Sequence, residues 1–328
     1  MPATLYYESD VDQPAILGEK IAVLGFGNQG HAHALNARDQ GLQVAVGLRP
    51  GSPHRQAVLQ SNLTAMDLPE ATRWADIVMF CTPDVPMAEI YRTSVEPHLR
   101  EGQMVLFAHG FNIHFGLIEP PAWVDVALVS PKGPGHLLRT EFLAGRGLAA
   151  MIAVHQDATG RAHQRALGYA WAIGCARIGV LQTTFKEETE TDLFGEQAVL
   201  CGGVPELIKA GFDTLVAAGY QPETAYFECL HEVKLIVDLL YARGLTGMRE
   251  AISDTAEWGG YNAGPRVVTE ASRQAMREIL AEIQSGEFTR KWIEENKEGL
   301  PRMQALRNAE RGHPAEEVGA KLRVAWAE

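Results

Sequence analysis

Lys20-Ile21-Ala22-Val23-Leu24-Gly25-Phe26-Gly27-Asn28-Gln29-Gly30-His31-Ala32-His33-Ala34-Leu35 is the stretch that decides how the first half of this chain folds. A short apolar run reads as a strand, the glycines as a tight turn, and the residues up to Asp39 as a helix. In that order G-x-G-x-x-G is a dinucleotide-binding turn. Glycine lets the backbone approach a pyrophosphate, which then rests on the helix N-terminus. Gly25, Phe26, Gly27, Asn28, Gln29 and Gly30 are therefore the candidate cofactor turn. Packing or helix-end roles are expected of His31 and His33, which have no acidic neighbour in sequence.

A second strand, Leu42–Gly47, follows at the right distance. At its end NAD sites usually carry Asp or Glu to hold the ribose hydroxyls. This chain has Leu48-Arg49-Pro50-Gly51-Ser52-Pro53-His54-Arg55 instead. Arg49 and Ser52 suit a 2′-phosphate, so NADPH is the expected cofactor and NADH the alternative. His54 either donates to that phosphate or faces water. Arg55 either joins it or belongs to a basic surface turn.

Further apolar runs read as strands at Ile77–Cys81, Met104–Phe107, Val124–Val129, Leu148–Ala153 and Ile178–Val180, with helices such as Met87–Leu99 and Arg161–Ile173 between them. That alternation predicts a Rossmann-type α/β domain with a parallel sheet over residues 1–182. From residue 183 to 328 strand signals cease. Apolar positions recur at helical spacing around Asp192–Leu200, Val204–Ala218, Pro222–Tyr241, Val268–Ser285, Thr289–Asn296 and Pro301–Arg311, predicting an all-helical domain. An active site between the two domains is expected.

Two pairs of carboxylates carry the chemistry of the second half. Asp192 and Glu196 lie in Lys186-Glu187-Glu188-Thr189-Glu190-Thr191-Asp192-Leu193-Phe194-Gly195-Glu196-Gln197, and Glu228 and Glu232 in Tyr226-Phe227-Glu228-Cys229-Leu230-His231-Glu232-Val233-Lys234. An i, i+4 spacing puts each pair on one helix face, where like charges destabilise the helix unless a cation sits between them. Hard oxygen ligands in that number suit Mg²⁺. Their apolar flanks argue against a merely solvated face.

Two loops follow strands on the side where open α/β sheets bind ligands. His109 lies in Phe107-Ala108-His109-Gly110-Phe111-Asn112, as either a catalytic or a capping residue. Lys132 and Gly135 lie in Ser130-Pro131-Lys132-Gly133-Pro134-Gly135-His136. Prolines and glycines make this a rigid loop, suited to a lysine that orients a carboxylate or polarises a carbonyl.

Composition fits a cytoplasmic enzyme acting on a small molecule. With 29 basic and 41 acidic residues in 328, a net charge of −12 and no long basic run, nucleic acid and anionic membranes are poor partners. Cys81, Cys175, Cys201 and Cys229 are scattered in apolar surroundings and read as buried reduced thiols. Neither a leader-like N-terminus nor a bilayer-length apolar stretch is present in the sequence.

The segments Gly25–Asp39, Phe107–Phe115, Ser130–His136, Thr183–Gly203, Phe227–Leu240 and Ile252–Arg266 together resemble the ketol-acid reductoisomerases of branched-chain amino-acid biosynthesis, in the short, class I form. The combination of PKGPGH, KEETETDLFGEQ and FECLHEVKLIVDL carries the resemblance nearly end to end. It implies a knotted helical domain, NADPH, and two Mg²⁺ ions. Asp192 would bridge both ions and Glu196 bind one, with Glu228 and Glu232 serving the other directly or through water. It further implies that Ser253 binds the substrate carboxylate, that His109 and Lys132 complete the site, and that homodimers share sites between chains. The sequence departs from the family pattern at His54, where many short members have serine, and at Asp254, where asparagine is common.

The implied substrates are 2-acetolactate and 2-aceto-2-hydroxybutyrate, rearranged by alkyl migration and then reduced to 2,3-dihydroxy-3-methyl acids. Glu232 is the candidate for proton transfer. A metal-free hydroxy-acid dehydrogenase would share the Rossmann domain and loop lysine but leave the four carboxylates without a role. A non-catalytic NADP-binding regulator would have no need of Lys132.

Overall fold

The computed structural model describes residues 3–327; Met1, Pro2 and Glu328 lie outside the described residues. The chain forms two compact units, Met1–Thr189 and Glu190–Glu328.

The first unit runs β1 (Leu5–Tyr6), α1 (Gln13–Leu17), β2 (Lys20–Leu24), α2 (Asn28–Asp39), β3 (Gln43–Leu48), α3 (Arg55–Gln60), β4 (Thr64–Asp67), α4 (Leu68–Trp74), β5 (Ile77–Phe80), α5 (Asp84–Ile90), β6 (Met104–Phe107), α6 (Phe111–His114), β7 (Asp125–Pro131), α7 (Gly135–Leu143), β8 (Ala150–Gln156), α8 (Ala162–Ala172) and β9 (Val180–Gln182). Its sheet has the order β1-β9-β8-β7-β6-β5-β2-β3-β4. The six strands β4-β3-β2-β5-β6-β7 are parallel, and their order reverses between β2 and β5, the switch point where open α/β sheets take ligands.

Residues of β2 alternate between two cores, as a central strand covered on both faces must. Ile21 and Val23 join Ala32 and Ala34 of α2 and Ala166 and Tyr169 of α8. Ala22 and Leu24 join Leu68 and Ala71 of α4 and Met87 of α5. His33 lies wholly inside the first core, 2.9 Å from the Tyr169 hydroxyl, and burial pushes its pKa down to about 3. Packing is its role.

The expected parallel sheet is corrected at two pairings: β8 runs antiparallel to β7, and β1 antiparallel to β9. The helix between β7 and β8, α7, packs on α2. It therefore does not build the crossover that parallel pairing requires. Two strands escaped the sequence reading. β4 is an edge strand with no fully buried residue, and β1 has two residues, so neither shows an apolar run.

α9 (Phe185–Gly195) carries the chain into the second unit and runs on into a π-helical turn, Glu196–Leu200. Then follow α10 (Gly203–Ala217), α11 (Pro222–Tyr226), a second π turn (Phe227–His231), α12 (Glu232–Glu250), α13 (Asp254–Val267), α14 (Glu270–Gln284), α15 (Glu287–Lys297), α16 (Pro301–Arg311) and α17 (Pro314–Ala327). α13 and α17 were not expected. Gly259, Gly260, Gly264 and Pro265 lower the helix propensity of the first, and Gly319 that of the second. A small core of Phe212, Ala225, Tyr226, Ala315 and Val318 ties α10, α11 and α17.

All four cysteines are free, but of the four expected to be buried only Cys175 is fully so; Cys81 and Cys229 are partly buried, and Cys201 is exposed at the end of the π turn. Among the described residues no helix is long and apolar enough to cross a membrane.

Candidate active site

Two helix N-termini meet beyond the switch point. Gly25 takes φ +98°, and a Cβ there would stand 2.9 Å from the Cys81 carbonyl oxygen, so only glycine makes this turn. A Cβ at Gly30 would collide with the Gly25 carbonyl, whereas nothing crowds Gly27, which caps α2 and leaves its N-terminal amides open. Phe26 is only 5% exposed and packs beneath the turn, so its backbone alone can serve a phosphate.

The Ser130–His136 loop is fastened to the same turn. Gln29 Nε2 donates to the Gly133 carbonyl (3.0 Å), and the His136 N–H donates to Asn28 Oδ1 (3.1 Å). Any side chain at Gly135 would collide with the Asn28 carbonyl, which fixes glycine at the start of α7. Gln29 Oε1 is buried with no hydrogen-bond partner among the described residues. Two converging helix N-termini, an open glycine and an orphaned polar atom fit a bound dinucleotide pyrophosphate.

Farther along the strand ends lies a cavity of about 620 Å³, lined among others by Arg49, Pro50, Asp67, Leu68, Pro86 and Ile90. Arg49 is exposed on its wall. Ser52 Oγ accepts the His54 N–H (3.3 Å), so Ser52 shapes the loop as well as facing solvent, and His54 is exposed at the start of α3.

The other half of the first unit's site is organised by a residue that sequence reasoning did not single out. Glu188 is fully buried on α9. Its carboxylate accepts from Ser130 Oγ (2.8 Å), Lys132 Nζ (2.8 Å) and the Gly110 N–H (2.9 Å), and His109 Nδ1 lies 3.2 Å away. Four donors match a carboxylate's capacity of about four lone pairs. Glu188 is therefore an anchor, and it also belongs to the group His109, Glu188 and Asp192, whose ligand atoms lie within 4.8 Å of one another and could hold a metal ion. It binds the loop after β6 to the loop after β7, bringing His109 and Lys132 to one point. Burial pushes Glu188 up, but the hydrogen bond and charge of His109, then those of Lys132, outweigh it and hold the carboxyl at about 2. One signal could have found it: Glu188, Asp192 and Glu196 recur every four residues.

The sign of this shift makes a prediction. A carboxyl depressed from 4.5 to about 2 stabilises the fold fully above pH 4.5, and that contribution is lost as pH falls toward 2, about 3 kcal/mol in all. Thermal unfolding of Glu188→Gln should show a deficit against the native chain that is full at neutral pH and closes below pH 4.5. A deficit independent of pH would show that shape, not charge, is what Glu188 contributes.

In the second unit both carboxylate pairs sit at π turns. Asp192 is half-buried on α9 and Glu196 opens the first π turn; Glu228 lies within the second, and Glu232 begins α12. A π turn closes i→i+5 hydrogen bonds, so an i, i+4 pair spans just under one turn and stays on one face. Such bulges concentrate at functional sites. Glu228 and Glu232 are exposed, contrary to what their apolar flanks suggested: the apolar neighbours Tyr226 and Leu230 turn inward, and the carboxylates outward. Among the described residues, neither joins a group of three ligands of metal-site dimensions. Ser253 is the N-cap of α13 and accepts the Ala256 N–H (3.2 Å), which leaves its own hydroxyl proton free to be donated.

A Rossmann sheet with a fastened glycine turn, followed by a helical unit bearing acidic pairs, defines a dinucleotide-dependent oxidoreductase. Residues 15–179 match the acetohydroxy acid isomeroreductase NADPH-binding domain, and residues 185–327 the ketol-acid reductoisomerase C-terminal domain. The structure is similar to that of an NADH-preferring ketol-acid reductoisomerase from an uncultured archaeon, with 39% identity, 99% of this chain and 100% of that chain covered, and a TM-score of 0.96. A semialdehyde dehydrogenase NAD-binding protein from Cupriavidus necator shares the fold at 18% identity, TM-score 0.64, with 81% of this chain and 98% of that chain covered. The chain belongs to the ketol-acid reductoisomerases, short form. Its activity is therefore NAD(P)H-dependent reductoisomerisation in branched-chain amino-acid biosynthesis.

Proposed function

We propose that the chain converts 2-acetolactate and 2-aceto-2-hydroxybutyrate to 2,3-dihydroxy-3-methyl acids, with Mg²⁺ and NADPH. The observation that carries this reading is the buried Glu188, which holds Lys132 and His109 together from the helix that also bears Asp192. The donors along that helix and at Glu228 and Glu232 are carboxylate oxygens, which fit Mg²⁺. Bound Mg²⁺ would stabilise charge on two neighbouring substrate oxygens, and bound NADPH would supply hydride.

The rest falls to the chain. Asp192, Glu196, Glu228 and Glu232 would hold the metal. Glu232 takes the C2 hydroxyl proton while the alkyl group leaves C2 for C3 with its bonding pair; C2 becomes the ketone, and the former ketone oxygen on C3, left as an alkoxide, takes that proton back to become the new hydroxyl. Hydride addition at C2, with a proton from solvent delivered to the oxygen there, completes the product. Lys132, ion-paired with Glu188, orients the substrate carboxylate or polarises the carbonyl. Ser253 donates to the carboxylate. NADPH oxidation with 2-acetolactate, lost in EDTA and restored by Mg²⁺, tests the reading. Full turnover in EDTA overturns it in favour of a metal-free dehydrogenase.

Arg49 on the cavity wall supports NADPH, with NADH, which the archaeal relative prefers, as the alternative. A charge-assisted phosphate contact contributes roughly 1.5–3 kcal/mol. Arg49→Ala should then raise KM for NADPH about tenfold or more and barely change that for NADH. Equal weakening of both would remove the basis for this choice.

We also infer a homodimer with shared sites. α12 and α13 expose large apolar side chains, among them Tyr241 (91%), Leu245 (78%) and Trp258 (73%). Exposed apolar surface on this scale marks an association face. Glu228, Glu232 and Ser253 flank it on the same helices. A second copy covering this face would bring its own carboxylates to these residues.

A further inference from the structure

Beyond the Arg49 contact, the structure points to a second control on cofactor choice, resting on the dinucleotide reading of the cavity. Arg55 opens α3 and reaches the carboxylate of Asp67 at 2.5 Å and the Ala65 carbonyl at 3.4 Å. Asp67 ends β4 and lines the same cavity as Arg49. Two successive turns, Ser52 N–H to Arg49 O (3.1 Å) and Arg55 N–H to Ser52 O (3.3 Å), set Arg49, Ser52 and Arg55 at intervals of three along one coiled loop. Arg55 is thus within one side chain's swing of the cavity that Arg49 faces, but its charge is committed to Asp67. The other carboxylate on the wall, Glu89, is already paired with Arg92 at 2.9 Å.

We propose that Asp67 competes with the cofactor's 2′-phosphate for Arg55, and that this exchange sets the ratio of NADPH to NADH affinity. The pair is half-exposed, 40% on Arg55 and 54% on Asp67, so it is a weak bond. A phosphate with nearly two charges attracts Arg55 more strongly than one carboxylate does. NADH offers nothing in exchange, and leaves the pair closed. Asp67 thereby limits the advantage of the phosphorylated cofactor.

The test is direct binding of NADPH and NADH, each followed by its own fluorescence, with no substrate or turnover. Asp67→Asn frees Arg55 and removes a like charge from the phosphate, so NADPH should bind about three- to fivefold more tightly with NADH unchanged. Arg55→Met leaves Asp67 uncompensated and should weaken NADPH about threefold, again sparing NADH. The double variant should return near the native ratio. Unfolding temperatures close to native would confirm that neither change acts through the fold. If both single variants bind with the native NADPH to NADH ratio, the exchange does not occur, although the cofactor reading stands. If the native chain binds neither dinucleotide, the cofactor reading falls and the exchange with it.

Discussion

Asp192→Asn should reduce turnover of 2-acetolactate by about a thousandfold or more. Asparagine keeps the volume and hydrogen-bonding reach of the side chain but removes its charge. Mg²⁺ binding depends on anionic oxygens. The alkyl migration depends on stabilising negative charge on neighbouring oxygens, a contribution of several kcal/mol, and each 1.36 kcal/mol is tenfold in rate. Reduction of the already rearranged 3-hydroxy-3-methyl-2-oxobutanoate should fall much less, because hydride transfer demands less of the proposed metal site. Calorimetric titration with Mg²⁺ supplies a readout independent of turnover, and should show binding weakened in parallel. Native activity on acetolactate, or native Mg²⁺ affinity, would reject Asp192 as a metal ligand.

The second large effect is a recovery. Asp192→Asn and Glu232→Gln chains, each inactive alone, should regain about a quarter of native activity when refolded together or co-expressed. In a dimer with shared sites, a mixed pair gathers both lesions into one site and leaves the other whole. Half the dimers are mixed, and half of their sites are intact. The exposed positions of Glu228 and Glu232, and the uncovered apolar faces of α12 and α13, favour this arrangement. If each site were completed within one chain, every site would keep a lesion. A silent mixture with mixed dimers verified by mass would exclude sharing.

Much of the cofactor half was legible because its signals are local. The turn after β2 needs glycine for its φ and for its contacts with Cys81 and with its own first turn, and those demands fall within a few residues or on the adjacent strand. Gly135 is similar: a rigid loop announced it, although its true constraint is the Asn28 carbonyl on another helix. Glu188 was not legible in the same way. Nothing in its immediate neighbours sets it apart from Glu187, yet one is buried among four donors and the other is exposed.

By itself, then, the sequence determined what repetition and local stereochemistry can encode: the alternating strands and helices, the change to an all-helical second half, the glycine turn, and the carboxylate pairs at four-residue spacing. Tertiary structure decided what depends on partners far along the chain. It turned β8 antiparallel because α7 packs on α2. It buried Glu188 against His109, Lys132 and Ser130, 56 to 79 residues away in sequence. It also turned Glu228 and Glu232 to the surface despite apolar neighbours. A helix repeat specifies which residues share a face, but burial of that face depends on what the remainder of the fold places against it.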